Sequence, residues 1–85
     1  MKRVVVIDDD QPSRRHLIAI LSSGGYEIAG EGTSGRSALA LARAAAPDVI
    51  LMAVGLAEVD GIEASQDVMR SHPVPIVLII SHYDA

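Results

Sequence analysis

Three consecutive carboxylates, Asp8, Asp9 and Asp10, end an apolar run, Val4 to Ile7, near the start of this 85-residue chain. Two carboxylates held side by side in a partly dehydrated crevice repel each other unless a cation lies between them. Their hard oxygens suit Mg²⁺, so Asp8 and Asp9 are a candidate metal site. The blander reading is that acidic residues after a strand solvate a turn and cap the next helix N-terminus. A second stretch of interest is Val49 to Gly61, VILMAVGLAEVDG, where a buried strand runs out into a loop. Ala53 stands at its centre, and a methyl group does no chemistry. A third polar strand end is Ser81-His82.

The elements that must position these residues are legible in order. Val4 to Ile7 is β-branched and continuous, as a strand buried on both faces is. Pro12 suits the first turn of a helix whose apolar residues are Leu17, Ile18, Ile20 and Leu21, closed by Ser22-Ser23-Gly24-Gly25 with a glycine able to take the left-handed cap. Tyr26 to Gly30 alternates weakly and reads as a short strand near an edge. Thr33 or Ser34 is expected to cap the next helix, whose apolar face is Ala38, Leu39, Leu41, Ala42 and Ala45 until Pro47 stops it. Asp48 to Met52 is a second continuous apolar strand. Gly61 opens a third helix through Ile62, Ala64, Val68 and Met69, ending near Ser71-His72-Pro73. Pro75 starts a last strand, Ile76 to Ile80. The order βαβαβαβ with short connections predicts an α/β fold, a parallel sheet with helices on both faces. In such sheets the functional crevice lies beyond the carboxyl ends of the strands.

Composition narrows the function classes. The chain is long enough for a single domain, residues 1–85, with a thin core. A net charge of −4 and a pI near 5.1 argue against a nucleic-acid or anionic-membrane surface. No cysteine is present, which excludes disulfides and thiolate metal sites. No run approaches the roughly 18 apolar residues of a membrane span, and the apolar start is too short for a signal peptide. A cytoplasmic protein is expected. Gly24-Gly25 follows a helix rather than a strand, so a glycine-rich nucleotide loop is absent. His16, His72, His82 and Tyr83 read as ordinary surface or packing residues, and Arg14-Arg15 as a solvent-exposed or partner-facing part of the first helix.

Taken together, VVVIDDD, PDVILM, LAEVDG and PIVLIIS stand in the order and spacing of a known family. The chain resembles the bacterial two-component response-regulator receiver domain, a flavodoxin-like module that accepts a phosphoryl group from a histidine kinase or phosphotransfer protein. The resemblance implies that Asp8 and Asp9 bind Mg²⁺, that the backbone carbonyl of Gly55 faces the metal, and that Ser81 senses the phosphoryl group. It also implies that Asp60-Gly61 forms the turn into the third helix, the aspartate capping and the glycine relieving the backbone.

Three departures from the family pattern matter. Ala53 occupies the phosphoacceptor aspartate position, which removes the nucleophile and weakens Mg²⁺ binding by one carboxylate. Ala57 replaces a proline that usually stiffens the loop. The chain ends before the last helix-strand-helix, so an incomplete domain is expected, with Ile76 to Ile80 as an exposed edge strand through which two copies could pair. A receiver-type signalling module that is not an enzyme and cannot accept phosphate is the leading reading. A phosphate-independent interaction or dimerisation fragment is the alternative. The remote one is an Mg²⁺-dependent phosphohydrolase of haloacid-dehalogenase type, because Asp8-Asp9-Asp10 contains an Asp-x-Asp spacing. Pro12 and the lack of room for later motifs oppose it.

Overall fold

A computed structural model describes residues 1–56 and 59–80. Its elements run β1 (Arg3–Ile7), α1 (Gln11–Ser23), β2 (Glu27–Gly32), α2 (Ser37–Ala45), β3 (Val49–Ala53), α3 (Gly61–Ser71) and β4 (Ile76–Ile79). Among the described residues the four strands form one parallel sheet in the order β2-β1-β3-β4. This is the α/β arrangement expected. It puts β1 and β3, the strands with the most buried residues, in the middle and leaves β2 and β4 at the edges.

Alternation along the strands decides what each face covers. Val5 and Ile7 of β1, with Ile50 and Met52 of β3, pack with Ala38 and Ala42 of α2 and Ala64 and Val68 of α3 in one buried cluster. The small residues on the two helices let them approach the sheet closely. Val4 and Val6 point to the opposite face, where α1 packs on β1 and β2. All four residues Val4 to Ile7 are at most 1% exposed, as a central strand covered on both faces requires.

Helix ends follow local chemistry, with some corrections. Asp10 is the N-cap of α1, its side chain accepting from the Ser13 N–H at 3.0 Å, and Pro12 lies in the first turn. At the other end Gly24 has an ordinary φ of −83°, and Gly25 takes the left-handed conformation at +90°. Neither Thr33 nor Ser34 caps α2 through its side chain. The N-cap is Arg36, and the Ser34 carbonyl instead accepts from the Ser37 N–H and hydroxyl, so a backbone turn does the capping. α2 ends at Ala46, in the left-handed region at φ 46°, before Pro47. An alanine there carries a steric cost that glycine lacks. Ala46→Gly is therefore expected to stabilise the chain by about 0.5–1 kcal/mol, read as a higher urea midpoint at unchanged slope.

Strand bounds also shift. β2 excludes Tyr26 and extends to Gly32, and β3 begins at Val49 and includes Ala53. The apolar residues expected to be core on the outer helices are less covered than their spacing implied. No residue of α1 is fully buried, and Ile20, Ile62 and Met69 are each about half exposed. Periodicity identifies an apolar face; it does not say that anything covers it.

Candidate functional site

The site lies where the carboxyl ends of β1 and β3 meet. Their register pairs Ile7 with Met52, so the next residues, Asp8 and Ala53, sit side by side. Asp8 is fully buried and Asp9 exposed. The Asp8 N–H donates to the Gly32 carbonyl at 3.0 Å, continuing the β1–β2 ladder one step past the strand. Its carboxylate accepts from the Asp10 N–H at 3.0 Å, while the Asp10 carboxylate caps α1. The acidic triplet thus divides its work. Asp10 does what the blander reading of the triplet predicted, and Asp8 and Asp9 remain as the candidate ligands.

The β3–α3 loop is folded back on Ala53. The Val54 carbonyl accepts from the N–H groups of Leu56 and Gly61 at 3.0 and 2.9 Å, and the Val54 N–H donates to the Ile79 carbonyl at 2.8 Å. Asp60 caps α3 as expected, its carboxylate accepting from the Glu63 N–H at 2.8 Å. Gly61 is required for a different reason from the one its position suggested. It has no positive φ; instead, a Cβ there would collide with the Ala53 carbonyl oxygen and lie 3.0 Å from Val54 Cα. Gly55 is exposed, and a Cβ on it would meet nothing within 4 Å. Ala57, Ser81, His82 and Tyr83 lie outside the described residues. Ala53 presents a methyl group, 1% exposed, where the strand meets the loop.

One residue was misplaced by sequence reasoning. Arg14 is no surface residue: its side chain is 13% exposed, with Nη1 donating to the Asp8 carbonyl at 2.8 Å and Nε to Glu31 at 3.1 Å. The available signal was its place four residues after the Asp10 cap, since helical side chains lean back toward the N-terminus. Arg15 and His16 are exposed, as expected.

A parallel sheet in the order β2-β1-β3-β4, with an acidic turn at the end of β1 beside the end of β3, is the frame of the receiver class that the resemblance predicted. Residues 4–85 match the response regulator receiver domain family, and the chain belongs to it. It is 43% identical over 82 residues to a protein-glutamate methylesterase/protein-glutamine glutaminase of Anaeromyxobacter dehalogenans, covering 95% of this chain and 24% of that protein. It is 35% identical over 80 residues to the chemotaxis protein CheY of Thermotoga maritima, covering 94% of this chain and 67% of CheY. Among solved structures, the receiver domain of the response regulator NarL from Mycobacterium tuberculosis superposes with a TM-score of 0.84 at 36% identity, covering 98% of this chain and 68% of that one. The receiver domain of Thermotoga maritima CheB gives 0.88 at 30%, covering 92% and 59%. The chain thus spans about a quarter of the methylesterase relative and two thirds of CheY.

Receiver domains bind Mg²⁺ at the acidic turn. The donors here fit a sparsely ligated, largely hydrated ion. Asp8 and Asp9 supply hard oxygens, the exposed Gly55 backbone can add a carbonyl, and among the described residues no group of three acidic, His or Cys side chains converges on one point. Among the described residues no helix is long and apolar enough to cross a membrane.

Proposed function

We propose that the chain is the receiver module of a two-component phosphorelay signalling protein and that, as it stands, it cannot accept a phosphoryl group. The observation that carries this reading is the methyl group of Ala53 at the carboxyl end of β3, beside Asp8. Phosphoryl transfer to a receiver needs a carboxylate oxygen to attack phosphorus while the donor's leaving oxygen departs with the bonding pair. Bound Mg²⁺ would neutralise charge developing on the phosphoryl oxygens. Asp8, Asp9 and the Gly55 carbonyl hold the ion in this reading, more weakly than a three-carboxylate set. Asp60 and Gly61 shape the loop and Ser81 reports on the phosphoryl group. Among the described residues, Asp10 is committed to capping α1 and Asp60 to capping α3, so neither substitutes for the missing carboxylate.

Receiver domains interact with histidine kinases or phosphotransfer proteins, and a partner of that kind is the one this chain would engage. The methylesterase and glutaminase activities named for the relatives belong to those proteins, and the reading here is of a module that is not itself an enzyme. The phosphohydrolase alternative loses ground, because its Asp-x-Asp motif would need as acid/base the same Asp10 carboxylate that caps α1. The test is intact-mass analysis after incubation with acetyl phosphate and Mg²⁺. No phosphoadduct is expected, and a stable adduct on the unchanged chain would refute the reading.

The interaction alternative has its own support. Among the described residues β4 is an edge strand, one residue shorter than expected because Ile80 lies past its end; Val77 is 47% and Leu78 39% exposed, and neither lysine nor proline interrupts it. Pairing of two such edges would join two sheets. The chain is then expected to be a dimer by light scattering at high concentration, and Val77→Lys to shift it to a monomer that still melts cooperatively, with a melting temperature that no longer depends on concentration. A wild-type chain that remains monomeric would remove this alternative.

A further inference from the structure

Arg14 makes two contacts at once, and together they fix the peptide between the two candidate ligands. Its Nη1 holds the carbonyl of Asp8 at 2.8 Å, which sets the plane of the Asp8–Asp9 peptide. The other side of Asp8 is held by its N–H on Gly32 at 3.0 Å, and the next turn by the Asp10 N–H on the Asp8 carboxylate at 3.0 Å. Nε meanwhile bonds Glu31 at 3.1 Å, so the same guanidinium ties α1 to the end of β2. A planar fork that meets two acceptors in fixed directions is a property of arginine that lysine lacks.

We propose that Arg14 is a positioning residue for a divalent cation: by gripping the Asp8 carbonyl and Glu31 together, it holds the Asp8 and Asp9 carboxylates in a binding-ready arrangement. The proposal rests on the cation-site reading above. It also gives Arg14 a counter-intuitive sign. A guanidinium bonded to the backbone carbonyl of a candidate ligand adds a positive charge near the site and repels Mg²⁺, so on charge alone its removal would tighten binding. Positioning demands the reverse, because carboxylates free to swing apart bind the ion less well.

The experiment is a Mg²⁺ titration of the 85-residue chain followed by nitrogen-proton correlation spectra at the amides of Asp9 and Gly55, with thermal melts in chelator alongside. Arg14→Gln and Arg14→Lys are each expected to weaken Mg²⁺ affinity by about tenfold, the scale found when groups supporting metal ligands are removed. A purely structural role would lower the melting temperature and leave the affinity of the folded chain unchanged. Equal or tighter binding in Arg14→Gln, or wild-type affinity in Arg14→Lys, overturns the proposal. Should Arg14→Gln not fold, Arg14→Lys decides alone, since it keeps the charge and loses only the fork. A wild-type chain with no Mg²⁺ response overturns the cation site itself and the proposal with it, an outcome distinct from a wild type that binds and variants that bind as well.

Discussion

Ala53→Asp, made in a full-length receiver carrying this chain, is expected to change phosphorylation from none to near-complete modification by acetyl phosphate in the presence of Mg²⁺. The substitution supplies the carboxylate at the one position that the β1–β3 register sets beside Asp8. Its oxygen would form the new bond to phosphorus as acetate leaves, so the product carries one phosphoryl group on an acyl linkage that hydroxylamine cleaves. A second signature separates a repaired site from adventitious modification. Three carboxylates gathered at two strand ends repel without a cation between them. The variant should therefore melt lower than wild type in chelator and recover when Mg²⁺ is added, whereas the wild-type chain should respond much less. Failure to phosphorylate despite a clear Mg²⁺ response would place the defect elsewhere than Ala53.

The strands of this fold were readable because two of them, β1 and β3, are buried on both faces and so appear as unbroken apolar runs. Bounds were less legible than existence: β2, whose alternation is weak, lost Tyr26 and gained Glu31 and Gly32, and β3 moved by one residue at each end. The helices were legible as periodic faces, but Ile20, Ile62 and Met69 show that a periodic face need not be a covered one. At the site, the Asp60 cap was implied by the family resemblance, and it holds because capping is a local interaction across three residues. Arg14 was not legible in the same way. Its contacts run to a backbone carbonyl six residues back and to a strand seventeen residues on, and no hydropathy pattern encodes either. The α2 cap failed for a related reason: Thr33 and Ser34 are the right residue types, yet the chain used the Ser34 carbonyl instead of either side chain.

Gly61→Ala is expected to be among the most damaging single-methyl changes in the chain, with Gly35→Ala, whose Cβ would meet the Val59 carbonyl in the same way. Gly61 is buried where α3 starts, and its N–H donates to the Val54 carbonyl at 2.9 Å, which draws the helix start onto the end of β3. A Cβ added there would overlap the Ala53 carbonyl oxygen and lie 3.0 Å from both the Ala53 carbonyl carbon and Val54 Cα. All three atoms are backbone at a strand end, so no side chain can swing aside, and the cap, the loop or β3 must shift. Overpacking of that kind costs about 2–3 kcal/mol. An 85-residue domain has about 4–13 kcal/mol in total, so the loss is a large fraction of its stability. It should lower the melting temperature by on the order of 10 °C. Gly55→Ala is the matched control, because an added Cβ there meets nothing within 4 Å and the φ is not in the left-handed region. The two variants add the same methyl group six residues apart, one in the loop and one at the start of α3, so equal melting temperatures would mean that close approach to β3 is not what Gly61 provides. A large gap between them would place the mechanical coupling of loop and strand at Gly61, where the helix start lies against the backbone of Ala53.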